Sequence, residues 1–333
     1  MKPILAAILV FHLASACAEE VTLTLASSWN RQQNFTALFM KYIDSVNDAG
    51  HGIIQIKFLG GPEVIPQRQL FYALRRGVVD MAFGGITYYR GVLPEGDAIF
   101  ASTITPMQAR QSGALDALQP YWEKRINAHL IGWVQSGVGV NIYLTDAPRF
   151  DDDGMPDLSG LKIRTSPSNR EILTRLGGRA IQIPVKEIYT SFQRGMVDGM
   201  AFTTTGMPDL GIHRFIRYRI DPAFLQLAMC LQINLDRWNA LSPEARDILE
   251  TQADIYARQN RLDFFALQDK ELEFLEQQGL NAVSLPDDYA SAYRSLAHEV
   301  VWDRLAAREP ESAARLKPFF YPNKGKPDPG VPK

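Results

Sequence analysis

Two stretches of the chain, 118 residues apart, carry the same sixteen-residue pattern. Ile65-Pro66 through Gly77-Val78-Val79-Asp80 lies over Ile183-Pro184 through Gly195-Met196-Val197-Asp198, with Ile, Pro, Arg, Gly, Val and Asp identical. Both copies run on into Met-Ala-Phe, at Met81 and, one residue late, at Met200. Each reads as one supersecondary unit. Pro opens a helix, Leu70 and Leu74 or Ile188 and Phe192 share its apolar face, and Gly ends it. The β-branched or apolar pair that follows predicts a strand beginning at Val78 and at Met196. A chance likeness of two helix–glycine–strand units accounts for the shared Gly but not for Ile-Pro and Val-Asp in the same register.

Periodicity extends both units upstream. Val21 to Ala26 alternates as a strand, Phe35 to Val46 has helical spacing and Ile53 to Leu59 is a second strand; in the later copy these roles fall to Leu161–Arg164, Ser168–Leu176 and Ala180–Ile183. Each unit is therefore β-α-β-α-β, the signature of an α/β fold with open, mostly parallel sheets. Two such lobes imply a cleft outside the carboxyl ends of their strands. In the first lobe those ends are Ser27 to Trp29, Gly60 to Glu63 and Gly84 to Tyr89; in the second they are Arg164 to Ser166 and Phe202 to Thr205. Ser242, Pro243 and Glu244 then start a helix that nothing breaks before Gly279, about 36 residues and roughly 54 Å long. Apolar residues at 245, 248, 249, 253 and 256, then 262, 265, 272 and 275, predict a spine packing on both lobes.

The 333 residues, 46% hydrophobic and 22% charged with a net charge of −2, exclude a disordered chain and a basic nucleic-acid binder. Lys2, the apolar run Ile4 to Leu13 and the small residues Ala14-Ser15-Ala16 read as a signal peptide over residues 1–18, so the mature protein is expected to be exported. Cys17 leaves a second reading open, a lipid-anchored protein, although Ala14 stands where a lipoprotein signal expects Leu. Cys230 lies in an apolar run and reads as a buried small hydrophobe. The Pro-, Gly- and Lys-rich tail, 319–333, is expected to be disordered.

Motifs for nucleotide, phosphate or catalytic zinc sites are missing, and His12, His51, His129, His213 and His298 show no metal spacing. Asp151-Asp152-Asp153 reads as a solvated turn. Arg164 stands out, ending an apolar strand at the predicted cleft with Thr165-Ser166-Pro167-Ser168 leading into a helix. A guanidinium there, backed by the Ser166 hydroxyl, suits a carboxylate, and an ordinary surface arginine is the alternative. An enzyme would need an acid or base at a strand end; the cleft offers Glu63 and no histidine.

Leu-Ser-Gly-Leu-Lys-Ile-Arg at 158–164, the two repeat segments at 73–82 and 189–199, and Asn234 to Trp238 with Leu241-Ser-Pro-Glu244 and the long helix cover nearly the whole mature chain. Their combination resembles the substrate-binding subunits of tripartite ATP-independent periplasmic (TRAP) transporters, the dicarboxylate-type receptor family. The resemblance implies a two-lobed periplasmic binding protein with hinge strands near Val138–Leu144 and Phe224–Leu231. Lobe I is expected to hold 19–139 and 227–266, and lobe II 140–226 and 267–318. It implies closure on an organic acid and delivery to membrane-embedded permease subunits, with no enzymatic role, nucleic acid or cofactor. The family's carboxylate-gripping arginine falls on Arg164. A second family position, often Arg, falls near Asn141, and a polar Asn falls near Phe202, followed by Thr203. These departures imply a monocarboxylate with an apolar or aromatic body, with Trp29, Tyr88 and Tyr89 on neighbouring loops. Ala201-Phe202 does not match the family's metal-holding arrangement, so no metal is expected.

Overall fold

The computed structural model describes residues 20–324; the expected signal peptide, with Cys17, and the tail beyond 324 lie outside them. Among the described residues thirteen strands follow in order: β1 (Val21–Ser27), β2 (Ile54–Gly60), β3 (Met81–Gly85), β4 (Ala128–Gln135), β5 (Gly139–Leu144), β6 (Arg149–Phe150), β7 (Pro156–Asp157), β8 (Lys162–Thr165), β9 (Arg179–Gln182), β10 (Gly199–Thr203), β11 (Tyr218–Gln226), β12 (Met229–Asn234) and β13 (Asn281–Ser284). They form two main sheets, ordered β2-β1-β3-β12-β4 and β13-β11-β5-β10-β8-β9, while β6 and β7 pair as a hairpin around the exposed Asp151–Asp153 turn. The molecule is two-lobed, one lobe on each sheet, and among the described residues no helix is long and apolar enough to cross a membrane.

The repeat survives at the level of single hydrogen bonds. Its helices are Leu70–Arg75 and Ile188–Gln193, and its strands β3 and β10 start at Met81 and Gly199, each pair at the 118-residue offset. Both helices end in the same cap. Gly77 N–H donates to Leu74 O and Val78 N–H to Ala73 O; Gly195 N–H donates to Phe192 O and Met196 N–H to Ser191 O. Both glycines have positive φ, which a side chain would oppose. These caps correct the expected strand starts: Val78 and Met196 belong to the turn and are exposed, and pairing begins three residues later. Pro66 and Pro184 likewise open a turn, accepting from Gln69 N–H and Glu187 N–H, before either helix begins.

The shared Asp ties each unit to its parallel neighbour. Asp80 accepts from the Thr24 amide at 2.8 Å, and Asp198 from the Lys162 amide at 2.7 Å. β2-β1-β3 and β9-β8-β10 are thus matching parallel sets. The remaining strands join them by antiparallel pairing, except β13, which lies parallel to β11.

The chain crosses between sheets from β4 to β5 through 136–138 and from β11 to β12 through Leu227 and Ala228. Leu227 N–H donates to Val138 O at 2.8 Å, so the two crossings are bonded to each other. The long helix Pro243–Gln277 makes a third link. Its first half buries Ala245, Leu249, Ala253 and Tyr256 in the core of the first sheet, and Leu275 reaches the core of the second. Between them the inward face differs from the sequence expectation: Leu262 is 60% exposed, and Asn260 and Phe264 are fully buried instead. The residues stepping inward every three to four positions there include Asn260, Gln268 and Glu271, which meet backbone and polar side chains where the helix passes between the lobes.

The C-terminal helices Asp287–Arg308 and Pro310–Phe320 carry a core that runs continuously from one sheet to the other. Phe320 is fully buried, and its carbonyl accepts from Thr103 N–H at 2.8 Å. Residues 319–324 are therefore ordered, contrary to the expected tail boundary, because burial of Phe320 and Tyr321 holds them to the lobe.

Candidate functional site

Arg164 lies near the end of β8, directly beside Met200 of β10, and Phe202 of β10 stands opposite Asn141 of β5. Side chains two apart on a strand share a face, so Arg164, Phe202 and Asn141 point the same way from three consecutive strands. A one-residue slip in the repeat puts Phe202 there. The residue equivalent to Phe202 by the 118 offset is Gly84, whereas Phe83, stacked on Phe39 at 3.8 Å in the first core, matches Ala201. Because strand side chains alternate, the slip turns a core phenylalanine into one on the opposite face.

Arg164 is 5% exposed. Its Nε donates to Ile183 O at 3.0 Å, and its Cζ lies 5.8 Å from the centre of the Phe202 ring. No carboxylate among the described residues pairs with it. Burial pushes its pKa down to about 10, offset only by the Tyr88 hydroxyl. Tyr88 belongs to the turn after β3, on the other sheet. Burial raises its own pKa, while hydrogen bonds to Trp29 and Gln67 and the charge of Arg164 act the other way. Trp29 meets Tyr88 edge-on at 5.8 Å and Phe35 at 4.9 Å. Tyr88, edge-on to Trp29, brings its hydroxyl from the first lobe toward the arginine of the second, while Trp29 itself packs into the first lobe's core against Phe83.

Asn141 is 1% exposed, with Nδ2 donating to Ile220 O at 2.9 Å and to Asp221 Oδ1 at 2.8 Å. Asp221 also pairs with Arg219 at 2.7 Å, so that cation is neutralised locally. Ser166 is half-buried beside a short turn, 3.5 Å from Asn169 Nδ2.

Three expected residues stand apart. Tyr89 turns into the first lobe, packs on Phe71 and donates to Gln232 Oε1 at 3.0 Å, because the turn after β3 sends alternate side chains inward and outward. The Thr203 hydroxyl donates to Thr205 O at 2.6 Å and is spent locally. Glu63 is exposed and accepts from Gly61 N–H at 2.7 Å, closing its own loop.

Sequence reasoning missed the groups that tie loops and lobes together around this site. Gln67 Nε2 donates to Ser28 O at 2.9 Å within the first lobe. Between the lobes, Arg90 Nη2 lies 3.5 Å from Pro167 O, and Arg304 reaches Asp97 at 2.9 Å, Glu171 at 2.9 Å and Ser168 O at 3.2 Å. No local motif marks them, since each acts on residues far away along the chain.

Comparison with known proteins agrees with this architecture. A monocarboxylate 2-oxoacid-binding periplasmic protein of Nostoc sp. is 23% identical over 268 residues, 77% of this chain and 71% of that protein. A TRAP periplasmic solute-binding protein from Desulfovibrio salexigens, solved with bound orotic acid, superposes with a TM-score of 0.76 at 17% identity, covering 90% of this chain and 97% of that one. A marine metagenome TRAP solute-binding protein specific for aromatic acid ligands, solved with 3-hydroxybenzoate, gives 0.67 at 18% identity over 91% and 98%. The profile of the bacterial extracellular solute-binding proteins, family 7, matches residues 25–309, and the chain belongs to that family.

Proposed function

We propose that the protein is a periplasmic receptor that binds a small organic monocarboxylate between its lobes and delivers it to TRAP permease subunits in the membrane. The observation that carries this is Arg164, a buried guanidinium with no counter-ion among the described residues. A buried charge is costly unless paired, so a cation held this way at the meeting of two lobes suits an anion that arrives from outside. The aromatic surfaces of Phe202 and Tyr88 supply an apolar wall beside it. Family membership, the Nostoc relative and the acid-bound neighbours support the same ligand chemistry. Lobe I is assigned to 19–139 and 227–266 and lobe II to 140–226 and 267–318, in keeping with the crossings at 136–138 and 227–228. The reading is of binding rather than catalysis, since the chemistry present at the site is an anion grip.

Titration calorimetry of the mature protein against an organic-acid panel tests it. At least one monocarboxylate should bind the wild type, and Arg164→Gln should weaken it by about 2–5 kcal/mol, the cost of removing one partner of a buried charge pair. Undiminished binding by the variant removes Arg164 from the site. Failure of every acid to bind removes the reading itself.

A further inference from the structure

One guanidinium outside the candidate site is shared between the lobes. Arg304, on the helix Asp287–Arg308, donates through Nε and Nη2 to the two carboxylate oxygens of Asp97 at 2.9 and 3.0 Å. That fork is anchored on the first lobe, where Asp97 is 3% exposed. The remaining nitrogen, Nη1, faces the second lobe and donates to Ser168 O at 3.2 Å and to Glu171 Oε2 at 2.9 Å. One helical turn on, Arg308 donates to Arg90 O and Gly91 O, so the same helix also holds the first-lobe loop from which Arg90 Nη2 reaches Pro167 O at 3.5 Å. On the second lobe all these contacts fall between 167 and 171, in the turn and helix start that follow Arg164.

We propose that Arg304 is a latch between the lobes that works without ligand: fixed to the first lobe by Asp97, it catches Glu171 and Ser168 O of the second and sets how often the lobes close by themselves. The geometry makes its two ends unequal. The Asp97 end is buried and bidentate, whereas the Glu171 end rests on one nitrogen against a carboxylate that is 40% exposed, so opening releases the Glu171 end. Arg90 adds little hold, since its contact is at the limit of a hydrogen bond, and it sets a cost against closure. Its Nη1 is buried with no partner among the described residues, and burial, followed by the Arg304 charge, pushes its pKa down. A latch made of one partly exposed ion pair, opposed by one unpaired donor, holds the lobes for only part of the time. The rest of the closing free energy is left for the ligand to supply.

Spin labels on Tyr72→Cys and Thr190→Cys, exposed repeat-equivalent positions with one on each lobe, report the separation of the lobes in the ligand-free mature protein. Cys230 is buried in the core and stays unlabelled. Pulsed dipolar spectroscopy at about 0.02 M sodium chloride should show a minor short-distance population beside a longer one. Glu171→Ala, which leaves the Asp97 fork intact, should deplete the short population about two- to fivefold, the effect of one partly exposed ion pair. Raising the salt to about 0.5 M should do the same to the wild type and little to the variant. Arg304→Gln should match Glu171→Ala, and the double variant should lose no more than either alone. If Arg304→Gln fails to fold because Asp97 is left buried without its partner, Glu171→Ala and the salt series decide. A single distance in the wild type at low salt overturns the latch, and so does a short population that neither Glu171→Ala nor salt depletes. No ligand enters the experiment, so its outcome is separate from that of the carboxylate reading.

Discussion

Glu271 projects from the long helix into the junction between the lobes, accepting from Gly206 N–H at 2.7 Å on the second lobe and from Asn34 Nδ2 at 3.4 Å on the first. Burial raises its carboxyl pKa to about 7; the Gly206 amide opposes this and Asp209 adds to it. The folded value lies above the ordinary one, so the stability tied to the neutral form is complete below about pH 4.5 and is lost as pH rises through about 7. His298, buried in the C-terminal helix against Tyr321, has the opposite sign. Burial, helped by Arg294, pushes it down to about 4, so the stability tied to the neutral ring is complete above about pH 6.5 and lost as pH falls through about 4. Where those windows overlap, the two slopes oppose each other. Above pH 6.5 Glu271 acts without that opposition. Thermal melts across about pH 5–8.5 should show the Tm of the wild type falling between about pH 6.5 and 7.5 and levelling off above that, and Glu271→Gln should remove this step. A step that persists unchanged in the variant means that the carboxyl does not titrate in the junction.

At the scale of elements, the two copies of the repeat make a natural control for one another. Asp198 fastens β10 to β8 through the Lys162 amide, and β8 carries Arg164 two residues later. Asp80 fastens β3 to β1 through the Thr24 amide and hydroxyl, and it also takes Arg237 Nε at 2.7 Å. Asp80→Ala should therefore be the more destabilising change, by about 2–3 kcal/mol against about 1–2 kcal/mol for Asp198→Ala in urea denaturation. The order reverses for ligand affinity. Asp198→Ala loosens the strand beneath the guanidinium and should weaken binding several-fold, while Asp80→Ala leaves it near the wild-type value; equal affinities would show that the clamp does not position the site. The same elements mark how far the sequence could be read. Pro, Gly and the two periodicities placed the repeat helices and the parallel strands, because those signals are local. The strand starts at Val78 and Met196 were misplaced because β-branched and apolar residues also serve in a cap turn, where the glycine's hydrogen bonds decide the geometry. Leu262 was misread as inward because the helix buries polar Asn260 and Glu271 as it crosses between lobes, against the rule that apolar residues mark the buried face. Arg164 was legible from its motif and strand end, whereas Arg304 and Arg90 were not, since what they touch is set by tertiary packing.

For the whole molecule, the exposures at the site have a kinetic consequence. With Arg164 only 5% exposed, a ligand held by it as proposed would reach it by separation of the lobes. The lobes are joined by the bonded crossings at Leu227 and Val138, by the long helix, whose polar midsection meets Gly137 O and Thr204 through Gln268, and by the C-terminal helices, whose core is continuous between the sheets. Opening breaks the bonds from Arg90 to Pro167 and from Asn34 to Glu271, both of which bridge the lobes. Converting a mostly open population to a mostly closed one takes about 5.5 kcal/mol of differential affinity, and a buried arginine–carboxylate pair supplies about 2–5 kcal/mol of that. A ligand favours closure only by what it gains from touching both lobes, and on the proposed reading Arg164 supplies part of that gain. Small-angle scattering of the wild type should therefore show compaction on addition of a bound acid. Arg164→Gln, at ligand concentrations high enough to occupy it, should remain as extended as the free protein, because an acid resting on one lobe's aromatic wall gives no reason to close. If the saturated variant compacts as the wild type does, closure is driven by contacts other than the arginine; if the saturated wild type does not compact, the lobes do not close on their ligand.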